Sequence, residues 1–168
     1  MDAEALKALQ APLKEKYRED ATTAIVTLRS QGTIGENVTC SVSTARAMVE
    51  AGLHPATGGT GLHACSGDML LDALVACAGV TLNAVATALQ LDVKHARVKA
   101  EGDLDFRGTL GIDKATPVGF VAIRLRFEVE GDLNEEEKAT LLKLTERYCV
   151  VFQTLKTSPA MDVSLTLT

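Results

Sequence analysis

The chain lacks tryptophan and contains only two tyrosines and four phenylalanines among its 168 residues. Proteins that bind sugars or single-stranded nucleic acids stack them on aromatic side chains, so this composition argues against both functions. The sequence also has no run of lysine or arginine, and 17 basic residues against 22 acidic ones leave a net charge of −5. Nucleic acids and anionic membranes are bound by clustered positive charge, and we therefore expect neither as a partner.

The first twenty residues contain no apolar stretch and no small-residue cleavage site, which argues against a secretory signal. They predict an amphipathic helix over residues 3–18 instead. The length predicts one domain spanning residues 1–168, with residues 1–20 as an N-terminal helical extension. We expect the protein to be cytoplasmic.

Four cysteines are present, and a chain with 46% hydrophobic residues has no need of disulfides to stabilise its core. We therefore expect reduced thiols at rest. They are Cys40, Cys65, Cys77 and Cys149.

The first half of the chain predicts two strands followed by an irregular segment. Residues 22–29 predict a strand, residues 30–35 a turn, and residues 37–43 a second strand whose alternation directs Cys40 into the core. Residues 45–65 contain a proline and four glycines, so they predict a long loop and a candidate wall of a binding site.

Residues 66–91 predict one long helix that is apolar nearly all round. Asp72, Asn83 and Gln90 interrupt it, and no basic or aromatic belt flanks it, which argues against a membrane span. About 24 helical residues extend roughly 36 Å, more than one small domain covers on every side. We therefore expect a second subunit to cover this helix.

The second half predicts a hairpin, a helix and a final strand. Residues 93–106 and 119–131 alternate between apolar and charged side chains, which is typical of paired antiparallel strands joined by a loop over 107–118. Asn134 begins a helix that is predicted to run to residue 151, and residues 161–168 alternate again and are predicted to close a sheet. The order ββ-α-ββ-α-β indicates an α+β fold with an antiparallel sheet.

Taken from the residues alone, Cys77 and Cys149 are core residues, because a buried thiol away from a helix N-terminus is unreactive. Cys65 directly precedes the central helix, where a thiolate is favoured, and is an alternative resolving thiol. His54, His63, Cys65 and Asp68 fit no known zinc spacing, and no metal is expected.

The runs SGDMLLDALVACAG, GFVAIRLRFEVEGDL and NEEEKATLLKLTERYC follow one another in an order that resembles the OsmC/Ohr family of organic hydroperoxide reductases. The likeness covers residues 20–168. It implies an OsmC-like fold, in which antiparallel sheets wrap around the buried central helices of an intertwined homodimer. It also implies that Cys77 is the peroxidatic thiolate, which attacks an organic hydroperoxide and becomes a sulfenic acid, and that Cys149 resolves it as a disulfide. An external dithiol such as dihydrolipoamide would reduce that disulfide, with no bound cofactor.

The resemblance further implies an arginine after the first strand and a glutamate ten residues before the peroxidatic cysteine. Arg29 is the first candidate for the arginine and Arg46 the second, although Arg29 is equally well explained as an exposed residue beside a turn. Gly67 occupies the glutamate position, and Asp68 follows it. Asp68 is either a substitute for that glutamate or a first-turn residue that favours the helix dipole.

The resulting prediction is a thiol-dependent organic hydroperoxide reductase that acts in oxidative-stress defence. Two alternatives stay open. Gly67 and the glycine-rich segment 45–65 are also compatible with a non-enzymatic dimer that binds a small apolar ligand. The same cysteine pair would serve a redox sensor whose disulfide alters a partner surface.

Overall fold

The computed structural model describes residues 2–19, 31–34, 39–43, 48–111 and 113–167. These residues form helices and two sheets in mixed order, which confirms the predicted α+β class. The helices are α1 (Ala3–Glu19), α2 (Ser66–Ala88), α3 (Phe106–Thr109), α4 (Glu135–Tyr148) and α5 (Val150–Lys156). The strands are β1 (Gln31–Ile34), β2 (Thr39–Ser43), β3 (Met48–Gly52), β4 (Ala64–Cys65), β5 (Asp92–Leu104) and β6 (Phe120–Asp132).

The central helix α2 is buried on one face only. Its buried side chains pack against β5, α4 and α5, and they are Leu74, Ala78, Leu82, Val85 and Ala86. The opposite face exposes Ala73, Ala76 and Val80, the last with 72% of its surface accessible. The expectation that one chain cannot cover this helix on every side is thus confirmed for the described residues.

Length and composition alone would allow α2 to cross a membrane, and it is the one described helix of which this is true. Its packing is that of a core helix, since one face lies against β5 and two helices. The helix ends at Ala88, three residues earlier than predicted, because Gln90 adopts a left-handed φ of 56° ahead of β5.

Strands β5 and β6 form the predicted hairpin, paired antiparallel from Asp92 opposite Asp132 to Leu104 opposite Phe120. One face packs on α2 and contributes Val98, Ala100, Ile123, Leu125 and Phe127 to the core. The other face carries charged cross-strand pairs such as Lys99 with Glu128. The connecting segment contains the short helix α3, where a loop was predicted. Within the described residues β5 and β6 form a two-stranded sheet, so no other described strand pairs along β6.

The N-terminal sheet has the order β1-β2-β3-β4, with β3 and β4 parallel and the other neighbours antiparallel. The prediction of a turn over 30–35 is wrong for residues 31–34, which form β1. Strand β2 confirms the described part of the second predicted strand and includes Cys40. The first predicted strand, 22–29, and the direction of the Cys40 side chain lie outside what the structure describes.

The prediction that residues 45–65 are irregular throughout is wrong, because β3 and β4 lie within them. Between the two strands, Pro55 begins a short 3-10 helix (Pro55–Thr57), and the Nδ1 atom of His54 accepts a hydrogen bond from the Ala56 amide. Gly58 ends this helix with a φ of 92°, a conformation that favours glycine. Pairing between strands on either side of a loop has no local sequence signal. The glycines in residues 45–65 therefore led to the prediction of a loop over the whole segment.

The predicted helix 134–151 is two helices in the structure. Its start is confirmed, since Asn134 and Glu137 form a reciprocal capping box with both hydrogen bonds at 2.9 Å. Cys149 has an extended backbone (φ −72°, ψ 105°) that ends α4 at Tyr148 and begins α5 at Val150. This break gives Cys149 a position at a helix N-terminus that the sequence did not predict.

The prediction of a final strand over 161–168 is wrong for the described residues 161–167, which have no regular structure. Alternating side chains favour an extended backbone, but a strand also needs a neighbouring edge to pair with. The apolar members of this segment are each more than four-fifths exposed, and they are Met161, Val163, Leu165 and Leu167.

Candidate active site

The break between α4 and α5 brings Cys149 against the middle of the central helix. Cys149 is 1% exposed and forms a core cluster with Leu74 and Ala78 of α2, and Cys77 packs against this cluster. The backbone of Cys149 connects the two helices, because its amide donates to the Thr145 carbonyl at 3.0 Å and its carbonyl accepts from Gln153 at 2.9 Å. The structure thus brings together the two cysteines that the sequence singled out.

Cys77 is half-buried, and the surroundings of its sulfur favour the thiolate. Burial raises its pKa, but the neighbouring Val151 amide, Cys149 thiol, Val150 amide and Thr81 hydroxyl lower it, and the pKa lies below the ordinary value of 9.0. Both amides belong to the first turn of α5. The expected rise in the pKa of a buried thiol in the middle of α2 is therefore not found, because the first turn of a second helix lies beside this sulfur.

Cys149 has the opposite character. Burial raises the pKa of its thiol, the Phe152 amide lowers it, and the neighbouring Cys77 raises it further, so that the pKa lies above 9.0. The two thiols therefore form an asymmetric pair in which Cys77 loses its proton first.

Asp68 lies on the exposed side of the first turn of α2, and the structure does not bring it to Cys77 within one chain. Nine residues of helix separate the two by about 13 Å along the axis. Asp68 lines a different cavity, of about 340 Å³, together with His54, Cys65 and Phe106. Gly67 borders the same cavity, and a Cβ at this position would lie 3.5 Å from the Phe120 ring.

Cys65 precedes α2 and is half-buried. Twelve residues of helix place it about 18 Å from Cys77 along the axis, whereas disulfide-bonded cysteines have Cα atoms within about 7 Å. Within one chain Cys65 is therefore not an alternative resolving thiol for Cys77. Arg29 and Arg46, the two candidate cations, lie outside the residues that the structure describes.

The residues considered as metal ligands lie close to one another without forming a ligand set. His54 stacks on the Phe106 ring at 5.0 Å between centroids, and His63 lies 3.8 Å from the Glu50 carboxylate. In the part of the chain that the structure describes, no group of three His, Cys, Asp or Glu side chains is arranged to hold a metal ion.

Three cavities follow one another along β6, between this strand and helices α4 and α5. Their volumes are about 580, 220 and 400 Å³. The middle cavity shares Leu125, Phe127 and Leu142 with the first, and Leu125 and Phe152 with the third. Cys149 lines the middle cavity, whereas Cys77 lines none of the three.

Thr145 is the residue of this region that the sequence analysis missed. It is 1% exposed, and its buried hydroxyl has no hydrogen-bond partner among the described residues. Such a group costs about 1–3 kcal/mol relative to a satisfied one. Thr145 lines the middle cavity beside Cys149, one helical turn before it. The four-residue spacing placed both side chains on one face of a helix, but only the tertiary structure shows that a cavity meets that face.

The chain matches the model of a protein family described as OsmC-like protein over residues 59–164. Among solved structures, it is similar to an OsmC-like protein from Mycoplasma pneumoniae, with 17% identity, a TM-score of 0.66 and coverage of 79% of this chain and 89% of that one. An organic hydroperoxide resistance protein OsmC from Legionella pneumophila has 18% identity and a TM-score of 0.62, with coverage of 79% and 91%.

An organic hydroperoxide resistance protein from Elizabethkingia anophelis has 16% identity and a TM-score of 0.65, with coverage of 80% of this chain and 91% of that one. At such identities the likeness establishes the fold. No curated protein matches the chain.

Proposed function

Because the chain belongs to the OsmC-like protein family, we propose that it reduces organic hydroperoxides through the thiols of Cys77 and Cys149. The observation that carries this proposal is the contact between a half-buried thiol of lowered pKa and a buried thiol of raised pKa. A peroxidatic cysteine must be a thiolate at working pH, and its sulfenic acid must meet a second thiol before it is oxidised further. The lowered pKa of Cys77 supports the first requirement, and its contact with Cys149 supports the second.

The reaction begins when the Cys77 thiolate attacks the terminal oxygen of the hydroperoxide. The O–O bond breaks, the alcohol leaves after taking up a proton, and Cys77 becomes a sulfenic acid. The Cys149 thiol then loses its proton, its sulfur attacks the Cys77 sulfur, and water leaves as the disulfide forms. An external dithiol such as dihydrolipoamide supplies the two electrons that return both cysteines to thiols.

The amides of Val150 and Val151 stabilise the Cys77 thiolate and keep it reactive. They donate hydrogen bonds to the sulfur from the first turn of α5, and this geometry requires the extended backbone at Cys149. Arg29 remains the first candidate for an additional cation. Asp68 has access to a Cys77 thiol only in the other subunit of a dimer, given its distance along α2.

The active form is an intertwined homodimer. The exposed face of α2 contains the small apolar residues Ala73, Ala76 and Val80, against which another helix can pack closely, together with the polar residues Asp72 and Asn83. The exposed alternating segment 161–167 can form a strand only by pairing with the edge of another strand. One edge of β6 has no partner among the described strands. A second copy of the chain meets both requirements. We place this dimer in the cytoplasm, as a part of oxidative-stress defence.

The test is a thiol count with peptide mapping before and after one equivalent of cumene hydroperoxide. Wild type and the matched control Cys65→Ser should each lose two thiols in a Cys77–Cys149 disulfide. Cys149→Ser should accumulate a Cys77 sulfenic acid that dimedone traps, and Cys77→Ser should consume no peroxide. Persistence of all thiols in the wild type would overturn the proposal.

A second candidate function rests on the first of the three cavities along β6. Its volume of about 580 Å³ lies within the range of small-molecule sites, and it is lined mainly by apolar residues of β6 and α4. A dimer that binds an apolar ligand there would need neither thiol. Mass spectrometry of an organic extract of the purified protein tests this function, and a bound apolar compound together with unreactive thiols would favour it over the reductase.

A further inference from the structure

Cys77 and Cys149 differ in their access to the cavities along β6. Cys77 is half-buried on α2 and lines none of these three cavities. Cys149 is almost completely buried from bulk solvent but forms part of the wall of the middle cavity. A reagent in the middle cavity therefore meets Cys149 and not Cys77.

The middle cavity suits a short apolar chain that carries one polar group. Its apolar walls come from Leu125, Phe127, Leu142 and Phe152. Thr145 lines it with a hydroxyl that is buried and unpartnered, so a ligand group that accepts a hydrogen bond would satisfy it. The only ionic group in the lining is Glu146, whose carboxylate is paired with Lys156 at 2.6 Å.

We propose that this cavity admits an alkyl dithiol, the reductant of the Cys77–Cys149 disulfide. The dithiol attacks the sulfur of Cys149, and the Thr145 hydroxyl donates a hydrogen bond to the attacking sulfur. This inference rests on the proposed function and adds which cysteine of the disulfide the reductant attacks. One thiolate of the dithiol bonds to Cys149, the Cys77–Cys149 bond breaks, and Cys77 leaves as a thiolate. The second thiol of the reductant then closes a ring, and Cys149 leaves and takes up a proton.

The asymmetry of the pair favours this direction. Thiol–disulfide exchange is faster when the leaving sulfur has the lower pKa, and Cys77 is the cysteine whose pKa is lowered. The amides of α5 that stabilise the Cys77 thiolate before it attacks peroxide stabilise the same thiolate when it leaves. Attack on Cys77 would instead expel Cys149, whose pKa is raised.

The experiment separates the reductive half from the reaction with peroxide by forming the disulfide with diamide. A limiting amount of 2-mercaptoethanol, followed by an acid quench and alkylation with N-ethylmaleimide, should give a mixed disulfide on Cys149 and an alkylated Cys77. The mixed disulfide on Cys77, or a protein in which diamide forms no Cys77–Cys149 disulfide, would overturn the inference. If peroxide fails to oxidise the thiols but this result is obtained, only the proposed function fails.

Variants of the cavity test the role of Thr145. Thr145→Val should slow reduction of the diamide-formed disulfide by dihydrolipoamide about tenfold, the loss expected for one hydrogen bond to a charged group. Thr145→Ser keeps the hydroxyl and should retain the wild-type rate. The rate at which peroxide oxidises Cys77 should be the same in all three proteins, whereas a merely structural role of Thr145 would change both half-reactions.

A bulky residue at the cavity provides a second test. Leu142→Trp should slow reduction by dihydrolipoamide, and Leu110→Trp is its control, since both leucines are 53% exposed and Leu110 lies outside the cavity. Equal rates for these two variants would show that the reductant arrives by another path. Glutathione, which is larger and carries net negative charge, should reduce all the proteins more slowly than the alkyl dithiol does, and the opposite order would contradict the assignment.

Discussion

A charge on the exposed face of α2 is expected to dissociate the proposed dimer. Val80 is 72% exposed in the single chain, in the middle of the face that also contains Ala73 and Ala76. Complete burial of a valine side chain is worth about 1.5–3 kcal/mol, so covering the exposed part of Val80 contributes about 1.5 kcal/mol per protomer. A symmetric interface contains the residue twice, which makes the contribution about 3 kcal/mol per dimer.

Val80→Asp removes this contribution and adds the cost of desolvating two carboxylates. The dimer dissociation constant should therefore rise at least about 100-fold, because each 1.4 kcal/mol corresponds to about a factor of ten. Sedimentation velocity over a dilution series measures that constant. Val118→Asp is the matched control, since Val118 is 63% exposed and lies outside α2, and it should dissociate like the wild type.

Two results would refute the reasoning. A wild-type protein that sediments as a monomer at micromolar concentration would show that no second copy covers α2. An unchanged dissociation constant in Val80→Asp would show that the copies associate through another surface, and the argument from the exposed face would then be wrong.

Three further changes have definite expected outcomes. Cys149→Ala removes a hydrogen bond that lowers the pKa of Cys77. Because the thiolate exists above that pKa, the pH profile of Cys77 alkylation by iodoacetamide should move to higher pH. An unmoved profile would contradict the assigned contact. Thr145→Val deletes an unpartnered hydroxyl and should raise the free energy of urea unfolding by about 1 kcal/mol at fixed protein concentration, whereas a decrease would reveal a partner for it. Gly102→Ala would make its Cβ overlap the Phe120 ring, so it should lower the unfolding free energy by about 1–3 kcal/mol in the same assay. A neutral effect would show that the ring moves freely.

The elements that could be predicted from the sequence are those whose signals are local. The alternation in β5 and β6 specifies their exposed and buried faces, and the Asn134 capping box specifies the start of α4. The break at Cys149 has no such signal, because neither proline nor glycine interrupts residues 135–156. It depends on the packing of α5 against α2, which follows from the tertiary structure. For this reason the sequence indicated both cysteines but not the amides that lower the pKa of one of them.

The final segment shows a different limit. The alternation in residues 161–167 favours an extended backbone, but no strand edge among the described residues of its own chain pairs with this segment. A single sequence indicates which apolar side chains are expected to be buried. It does not indicate whether the surface that buries them belongs to the same chain. The apolar pattern of α2 presents the same ambiguity: it predicted a helix that one chain does not cover on every side, and the second subunit expected to cover it is not specified by the pattern itself.

Gly67 stands where the family resemblance implies a glutamate, and a Cβ at this position would lie 3.5 Å from the Phe120 ring and 3.6 Å from both Leu104 and the Cys65 sulfur. A chain without this glutamate needs another means of stabilising a thiolate at Cys77. The amides of Val150 and Val151 carry fixed dipoles that neither titrate nor depend on a carboxylate to orient a cation. Activation of Cys77 by α5 therefore persists when exposed charges are screened by salt. If the alkylation rate of Cys77 at fixed pH fell steeply between low and high ionic strength, a charged residue such as Arg29, and not α5, would dominate the stabilisation of its thiolate.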